Sequence, residues 1–420
     1  MNILHINKFH YLRGGSEVVY FGTANLLEHH GHKSLYFSMH HPDNLPCETS
    51  NYFMPYVDLV SSNGMISQIK TAGRILYSLD AKKRLSDLLN KYHIDIAHLH
   101  NIHHQISPSI LHELKKRKIP VVMTLHDYKM ACASYSMLAN GRPCEACSGG
   151  RYLNAFKNKC VKESMPKSAL ATLEMYLHHK VLDIYSNVDI FISPSLFLKN
   201  KLKEMGFKKE IIYLPNFIDI KKFETIRKDN NERDNSVVYF GRLSTEKGLW
   251  TLLKAVKKIQ REVKLKVIGE GSLRKELVEW VNRESIVNVN FLGYMKGEQL
   301  YKEIIKSKAV VMPSEWYENN PMSVLEAFAL GKLVIGARIG GIPELVKDGE
   351  TGVTFKPGDA EDLNEKIGII LADSSLLIKM GGNALRFVET ELNPEKHYQK
   401  LMEIYQMAMN SHGSKKSRES

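Results

Sequence analysis

The fold is decided by one stretch of sequence, Pro313-Ser314-Glu315-Trp316-Tyr317-Glu318-Asn319-Asn320-Pro321-Met322-Ser323-Val324-Leu325-Glu326-Ala327. The apolar run at 309–312 predicts a buried strand, and the residues from Met322 onward predict a helix. Asn320 is a good N-cap residue, and Pro321 suits the first helical position. The amides of Met322 and Ser323 would then face a ligand above the strand, because helix N-termini carry free N–H groups.

Two carboxylates stand eight residues apart in this stretch, Glu318 in the loop and Glu326 inside the helix. Such a spacing is often coincidence in a charged surface helix. Here, however, Glu326 lies among apolar residues, where a free charge would be costly without partners. We interpret Glu326 as a group that accepts hydrogen bonds from paired sugar hydroxyls.

Short apolar runs alternate with amphipathic stretches along the whole chain, which is typical of βα units and parallel sheets. Candidate strands in the first half lie at 3–6, 34–37, 94–99, 121–125, 190–193 and 211–214. Those in the second half lie at 237–240, 265–268, 289–292, 309–312 and 333–336. We predict an α/β protein with two doubly wound, Rossmann-like domains.

A chain of 420 residues is longer than one core usually supports, which also favours two domains. We place the first domain at 1–215 and the second at 216–390, with a linker in the charged, poorly periodic segment 216–235. A last helix at 394–409, within a terminal segment 391–420 that ends in a polar tail, is expected to pack back on the first domain.

The bulk composition describes an ordinary globular protein, with 43% hydrophobic and 25% charged residues. No stretch reaches eighteen apolar residues and the N-terminus lacks the features of a signal peptide, so we expect a cytoplasmic protein. The net charge of +12 fits a solvated basic surface, or attraction to anionic lipid or phosphorylated ligands. Nucleic acid is not expected as a partner, because the basic residues are spread out without a recognition motif.

Two cations follow the predicted strand 237–240, Arg242 and Lys247, in the segment Gly241-Arg242-Leu243-Ser244-Thr245-Glu246-Lys247-Gly248. Both could reach one diphosphate from a strand-to-helix turn, although a solvated basic loop is the alternative. The segment Gly340-Gly341-Ile342-Pro343-Glu344 follows strand 333–336, and its glycines serve either a tight turn or ligand contact.

In the first half, Gly14 and Gly15 follow the first strand, and Ser16 is placed to cap the next helix. The fingerprint G-x-G-x-x-G is absent, which argues against an NAD enzyme. His126 ends strand 121–125, and Asp127 is placed to orient it.

A dense histidine group, His98, His100, His103 and His104, surrounds Asn101 at the end of strand 94–99. It indicates either a polar pocket for an acceptor sugar or a zinc site, and we favour the pocket because ligand carboxylates and cysteines are absent nearby.

Four of the five cysteines, Cys132, Cys144, Cys147 and Cys160, lie in a mostly polar insertion at 130–165. They indicate either a structural Zn²⁺ site or ordinary reduced thiols.

Taken together, the chain resembles retaining family-4 glycosyltransferases of the GT-B fold. Glu318 and Glu326 match their E-x7-E signature. Further matching motifs occur in the same order: Gly241-Arg242-Leu243 with Lys247-Gly248, Gly269-Glu270-Gly271, Phe291-Leu292-Gly293, Pro313-Ser314 and Gly340-Gly341-Ile342-Pro343-Glu344. The chain departs from the family where Asn320-Pro321 replaces a frequent Phe-Gly.

The resemblance implies two domains facing across a cleft, with a UDP- or GDP-sugar donor bound by the second domain and the acceptor by the first. It implies a catalytic set of His126, Glu318, Arg242 and Lys247. The implied donor-binding residues are Gly14, Gly15, Arg242, Lys247, Tyr294, Asn320, Met322, Ser323 and Glu326. Because the two cations and helix N-termini neutralise the diphosphate, no cofactor is expected for catalysis.

Enzymes resembling this chain extend glycans or lipid-linked oligosaccharides for bacterial surface polysaccharides, which implies a peripheral position on the inner membrane. Basic runs at 82–84, 115–118 and 151–167 are candidates for that contact. The alternatives are a synthase or phosphorylase of the same fold with a soluble acceptor, or a zinc-organised scaffold without catalysis.

Overall fold

A computed structural model describes residues 1–56, 65–228, 234–259 and 262–416, with the backbone alone for 65–70 and 412–416. The chain forms two compact units. Unit 1 comprises Met1–Asn140, Cys144–Leu214 and the chain from Tyr398 onward, and unit 2 comprises Gly141–Pro143 and Pro215–His397. Apart from the three residues Gly141–Pro143, the chain passes from unit 1 to unit 2 directly after Leu214, and it returns within the last helix.

The strands of the first half are β1 (Asn2–Ile6), β2 (Lys33–Phe37), β3 (Ile96–Leu99), β4 (Val121–Thr124), β5 (Leu138–Ala139), β6 (Arg142–Pro143), β7 (Ile190–Ser193) and β8 (Ile211–Tyr213). Six of them form a parallel sheet in the order β2-β1-β3-β4-β7-β8. Every residue of β3, β4 and β7 is buried, because helices cover both faces of the sheet.

The helices of the first half are α1 (Gly15–His29), α2 (Met65–Leu76), α3 (Leu79–Lys91), α4 (Ile110–Lys116), α5 (Leu153–Lys157), α6 (Met165–Tyr176) and α7 (Leu196–Glu204). Those of the second half are α8 (Lys221–Lys228), α9 (Leu249–Lys257), α10 (Arg274–Arg283), α11 (Gly297–Lys306), α12 (Met322–Ala329), α13 (Ile342–Leu345), α14 (Ala360–Ala372), α15 (Ser374–Glu391) and α16 (Pro394–Lys416). None of the described helices has the length and apolar character needed to cross a bilayer.

The strands of the second half are β9 (Ser236–Phe240), β10 (Lys264–Ile268), β11 (Val289–Gly293), β12 (Ala309–Met312), β13 (Val334–Ala337) and β14 (Gly352–Phe355). They form a parallel sheet in the order β11-β10-β9-β12-β13-β14. The order reverses between β9 and β12, and at such a switch point the loops at the carboxyl ends part to leave a crevice for ligands.

Both faces of this second sheet are buried. Along β9, Val237 and Tyr239 pack with the leucines of α9, whereas Val238 and Phe240 pack with α12 on the opposite face. This alternation follows from the period-2 geometry of a strand.

The C-terminal helix α16 packs on the sheet of unit 1, as predicted. Leu401, Ile404 and Tyr405 are buried against residues of β1, β3 and β4. The helix runs to Lys416, so the polar tail predicted from about 413 begins later than expected, and 417–420 lie outside the described residues.

All eleven predicted strands are present, with ends shifted by two residues or fewer, and the two Rossmann-like folds are confirmed. The strand β14 and the two-residue strands β5 and β6 were missed. The linker prediction at 216–235 was wrong for its described part, because α8 and the buried Ile218 and Phe223 belong to the core of unit 2. Residues 229–233 of that segment lie outside the described residues.

Candidate active site

The loops at the carboxyl edge of the unit 2 sheet are tied together by backbone hydrogen bonds. After β9 and β10, the Leu243 amide donates to the Glu270 carbonyl at 2.9 Å. Across the switch point, the Glu315 amide donates to the Glu246 carbonyl at 2.9 Å. The Gly341 amide donates to the Glu318 carbonyl at 2.8 Å, which joins the loops after β12 and β13. These bonds fix the side chains that the loops carry.

Two glycines allow the close approach of these loops. Gly248 has a φ of +69°, and a Cβ added there would lie 1.8 Å from the Pro313 carbonyl oxygen. At Gly340, with a φ of +61°, an added Cβ would lie 2.3 Å from the Glu318 carbonyl oxygen. Both positions therefore require glycine. For Gly340, close packing against the Glu318 loop is a sufficient reason, whether or not a ligand contacts it.

A buried ion pair lies at the switch point. Lys247 Nζ is 2.6 Å from Glu318 Oε1, and Ser314 Oγ donates to the same oxygen at 2.7 Å. Burial alone would raise the pKa of Glu318, but the charge of Lys247 and these hydrogen bonds outweigh it, so the pKa lies below its usual value. Glu318 therefore stays ionised at neutral pH.

Lys247 is held in place from two sides. Its side chain is 15% exposed, and Nζ lies 5.2 Å from the ring centroid of Trp316. Within the described residues, Glu318 uses one of the three ammonium protons. The ammonium can therefore donate further hydrogen bonds to an anionic ligand.

Arg242 lies in a different environment from Lys247. Its side chain is 63% exposed and pairs with Glu246 at 3.0 Å. An exposed pair of this kind is worth little, so the guanidinium can leave Glu246 for a stronger anion. That Arg242 and Lys247 bind one diphosphate stays a prediction.

The start of α12 differs from the prediction. The helix begins at Met322 with Pro321 as its N-cap residue, because Pro321 has an extended backbone with a ψ of 118°. Asn320 makes no cap. Its backbone carbonyl accepts a hydrogen bond from Asn216 at 3.0 Å, which anchors the loop just before the helix.

The Asn320 side chain is the most informative group of this loop. The residue is only 6% exposed, yet neither Nδ2 nor Oδ1 has a hydrogen-bond partner in the described structure. A buried, unpaired amide destabilises a protein by about 1–3 kcal/mol. This amide is therefore suited to a polar ligand at the N-terminus of α12.

The second carboxylate of the signature, Glu326, differs in charge state from Glu318. Burial raises its pKa to about 7, partly offset by a hydrogen bond from Tyr301. Ligand hydroxyls that donate to Glu326 would favour its ionised form. Tyr294, which follows the edge strand β11 at the same end of the sheet, is 69% exposed.

In unit 1, His126 follows β4 as predicted, but its partner differs from the predicted one. A hydrogen bond of 2.8 Å joins its Nε2 to Nδ1 of His100, and the two rings stack. The Asp127 carboxylate instead accepts from the Lys129 amide at 2.9 Å. Burial, and secondarily the charge of Lys8, lowers the pKa of His126 to about 4, so the ring is neutral at pH 7.

The glycine loop of unit 1 precedes α1. Gly14 and Gly15 are exposed, and Gly14 is the N-cap residue with an extended backbone. Ser16 does not cap the helix, because its hydroxyl donates to the neighbouring Glu17 carboxylate at 3.0 Å.

The predicted acceptor pocket of histidines is not supported for three of its members. His98, His100 and His103 are each 5% exposed or less, because they lie within the core of unit 1. His98 bonds Tyr405 and Thr124 there. His104 pairs with the buried Glu174.

The four cysteines of the insertion are brought together. Cys132, Cys144, Cys147 and Cys160 are free thiols, and all four line one small cavity. Burial, and then the proximity of the other three, raises the pKa of Cys147 to about 12.

Sequence reasoning missed Ser314 and Trp316 as contacts of the ion pair, and no sequence signal distinguishes them from other loop residues. The pairing of His100 with His126 was also missed. It could have been found, since both follow strands that neighbour each other in the sheet.

Two Rossmann-like units, one with a buried cation–carboxylate pair at its switch point, are the arrangement expected of a GT-B glycosyltransferase. Consistent with this, the family described as Glycosyltransferase Family 4 matches residues 13–222, and Glycosyl transferases group 1 matches residues 221–387. The chain belongs to the family-4 glycosyltransferases, which act on nucleotide-sugars.

Similar curated proteins differ in how much of the chain they match. Sulfoquinovosyl transferase SQD2 of Arabidopsis thaliana is 36% identical over 35% of this chain, which spans 29% of that protein's length. An uncharacterised 42.6 kDa protein in the cps region of Klebsiella pneumoniae is 25% identical over 82% of this chain and 87% of its own. N-acetyl-alpha-D-glucosaminyl L-malate synthase of Bacillus anthracis is 24% identical over 78% and 79%.

Solved structures share the fold over almost the whole chain. Sucrose-phosphate synthase of Thermosynechococcus elongatus has a TM-score of 0.72 at 19% identity, covering 98% of this chain and 99% of its own. HepE of Anabaena, in complex with UDP and glucose, has a TM-score of 0.68 at 18% identity, covering 96% and 99%.

Proposed function

We propose that the protein transfers a sugar from a UDP-sugar to a glycan or lipid-linked oligosaccharide, with retention of the anomeric configuration. The observation that carries the donor site is the unpaired, buried Asn320 amide between the Lys247–Glu318 pair and the start of α12. UDP is proposed over GDP because HepE was solved with UDP and with UDP-glucose.

In this proposal the diphosphate binds Lys247, Arg242 and the amides of Met322 and Ser323. As the bond from the anomeric carbon to the diphosphate oxygen breaks, its electron pair stays on the diphosphate. The two cations and the helix N-terminus stabilise that charge. No divalent metal is required by this arrangement.

The acceptor hydroxyl attacks the anomeric carbon from the face that the diphosphate leaves, and its proton passes to the departing phosphate oxygen. Glu318 positions Lys247 and the sugar and is not assigned as a nucleophile. Glu326 accepts from the ribose hydroxyls, the backbone near Tyr294 contacts the base, and Gly14 and Gly15 contact the donor phosphates.

Neutral His126 donates a hydrogen bond to the donor sugar in this scheme. Because Nε2 of His126 is hydrogen-bonded to His100, the His126 nitrogen that donates to the sugar is Nδ1. Replacing His126 by Ala should lower kcat by about 100-fold with little change in nucleotide affinity. Unchanged kcat would remove His126 from the catalytic set.

The acceptor proposal rests on the relative from the cps region of Klebsiella. A soluble acceptor is the second candidate, since the Bacillus relative is named N-acetyl-alpha-D-glucosaminyl L-malate synthase, a name in which the sugar is joined to malate, and it matches a similar share of this chain. Mass spectrometry of products from UDP-sugars offered with lipid-linked oligosaccharides and with malate separates the two. Product on malate alone would overturn the first candidate. The absence of both products, together with the absence of donor hydrolysis, would favour a non-catalytic scaffold.

A peripheral position at the cytoplasmic face of the membrane is proposed from the basic runs 82–84, 115–118 and 151–167. Co-sedimentation with vesicles containing anionic lipid at low salt tests it, with neutral vesicles as the control. Equal recovery in the supernatant with both vesicle types would contradict the membrane contact.

A further inference from the structure

The cysteine insertion at 130–165 contains many residues with an unfavourable, left-handed backbone conformation. Six of the eleven described non-glycine residues with positive φ lie in it: Tyr135, Met137, Asn140, Lys159, Lys162 and Glu163. Left-handed backbone is unfavourable for such residues by about 1–2 kcal/mol each, so surrounding interactions must impose it.

The four cysteines converge from separate pieces of this irregular segment. Cys132 follows β4 by several residues, Cys144 follows β6, Cys147 directly precedes the single 3₁₀ turn Ser148–Gly150, and Cys160 follows α5. All four line one cavity. The other residues around it are Leu138, Ala146, Asn154, Ala155, Asn158 and Met205.

We propose that Cys132, Cys144, Cys147 and Cys160 bind one zinc ion as a four-thiolate structural site. The cavity wall offers sulfur ligands and no imidazole or carboxylate, which selects a soft or borderline metal over Mg²⁺ or Ca²⁺. Zinc prefers four ligands in a tetrahedron, and the C-x2-C pair with two further cysteines supplies that number.

The charge of the insertion fits this assignment. Residues 130–165 contain five cations and two carboxylates, a net charge of +3. Zinc bound by four thiolates carries a net charge of −2, so the basic segment offsets it. On binding, each thiol loses its proton to solvent and each sulfur forms one bond to the metal.

Binding requires the sulfurs to move closer together. Among the described residues, only His5, His98 and His100 already place three ligand atoms within 4.8 Å of one another. Rotation of the cysteines about χ1 between staggered rotamers moves each sulfur without moving the backbone. The buried histidine trio is the competing metal site, and the test below distinguishes it.

The first measurement is the metal content of the full-length protein purified without chelators, by inductively coupled plasma mass spectrometry. We expect about one zinc per chain. Cys147→Ser should lose most of it, whereas the control Cys47→Ser, a cysteine outside the cluster, should keep it. Zinc retained by Cys147→Ser, or iron with inorganic sulfide in place of zinc, would overturn the assignment.

Because Cys147→Ser could lose zinc by failing to fold, wild-type protein reconstituted with Co²⁺ gives an independent answer. Four thiolates around cobalt produce sulfur-to-metal charge-transfer absorption, which histidine ligands cannot produce. We expect that absorption, with thiol-specific reagents releasing one metal as four thiols react. Cobalt bound without the charge-transfer band, four freely titrating thiols without metal, or disulfides in the native protein would each refute the site.

Discussion

At the scale of single residues, Asn320 shows how the requirements of folding and binding diverge. Its amide is buried without a hydrogen-bond partner among the described residues, so the free protein gains nothing from the polar atoms. A ligand that hydrogen-bonds the amide recovers the lost interactions on binding.

Asn320→Leu, which keeps the approximate side-chain size, should therefore leave the free protein as stable as wild type or raise its Tm by about 2–4 °C. The same change should weaken nucleotide-sugar binding by about tenfold or more. Differential scanning fluorimetry and titration calorimetry measure the two effects. A lowered Tm with unchanged affinity would show that the amide has a protein partner instead.

Glu326 leads to a pH-dependent prediction. Its pKa is about 7 in the folded protein and near 4.5 when unfolded, so the folded state binds its proton more tightly. This group therefore lowers the free energy of unfolding as the pH rises from about 4.5 to 7.

Glu326→Gln removes the ionisation. We expect its Tm without nucleotide to exceed that of wild type by about 3 °C or more at pH 8, and by much less at pH 5. Thermal unfolding across this range checks the prediction. A Tm difference that stays constant with pH would contradict it.

At the scale of elements, the site depends on loops that approach closely. Gly248 and Gly297 both have positive φ, but a Cβ at Gly248 would meet the Pro313 carbonyl, whereas a Cβ at Gly297 would meet nothing within 4 Å.

Gly297→Ala is accordingly a matched control for Gly248→Ala. We expect the control to lower the free energy of unfolding by about 1 kcal/mol through backbone strain. Gly248→Ala should lower it by roughly 3 kcal/mol or more and abolish nucleotide binding, because the loop must shift. Chemical denaturation measures both. Equal effects would mean that the loop tolerates a side chain.

The elements themselves were largely predictable. Each of the eleven predicted strands is a short apolar run, and burial on both faces makes such runs visible in sequence. Of the three missed strands, β14 (Gly352–Phe355) begins with glycine and contains threonine, which weakens that signal, and β5 and β6 have only two residues each.

Contacts between distant loops were not predictable. The Lys247–Glu318 pair joins residues 71 positions apart in the sequence. The sequence predicts that both lie at the carboxyl edge of the sheet, but it does not predict that they contact each other. Which carboxylate bonds which cation depends on side-chain geometry. For the same reason Asp127 was chosen over His100 as the partner of His126.

At the scale of the whole molecule, helix α16 returns the chain to unit 1. Leu401, Ile404, Tyr405 and Ala408 follow a helical period, so its apolar face was readable in sequence. The burial of the histidines in unit 1 could not be predicted from the sequence, because the tertiary fold determines whether a polar residue is buried.

Those histidines make unit 1 sensitive to acid. Burial lowers the pKa of His5 to about 3 and that of His10 to about 4. Burial, and secondarily the charge of Lys8, lowers the pKa of His126 to about 4. The unfolded state therefore binds more protons, and the free energy of unfolding falls as the pH drops below about 6.5.

Each such histidine should reduce the free energy of unfolding by on the order of 2 kcal/mol between pH 7.5 and pH 5. We expect a marked drop in Tm for unit 1 over that range. Hydrogen exchange followed by mass spectrometry at both pH values assigns the change to unit 1. Unchanged protection of β1 and β4 at pH 5 would show that the pKa values of these rings in the folded protein lie close to the unfolded value of about 6.5.

The donor site of unit 2 is tested most directly by titration calorimetry of a UDP-sugar, without divalent metal, into wild type, Lys247→Met and Lys254→Met. Lys254 is an exposed lysine of α9 and serves as the matched control. We expect wild type and Lys254→Met to bind with similar Kd, and Lys247→Met to bind about 10- to 100-fold more weakly, since a charge-assisted hydrogen bond is lost. Equal affinity in all three proteins would contradict the assignment of Lys247 to the diphosphate.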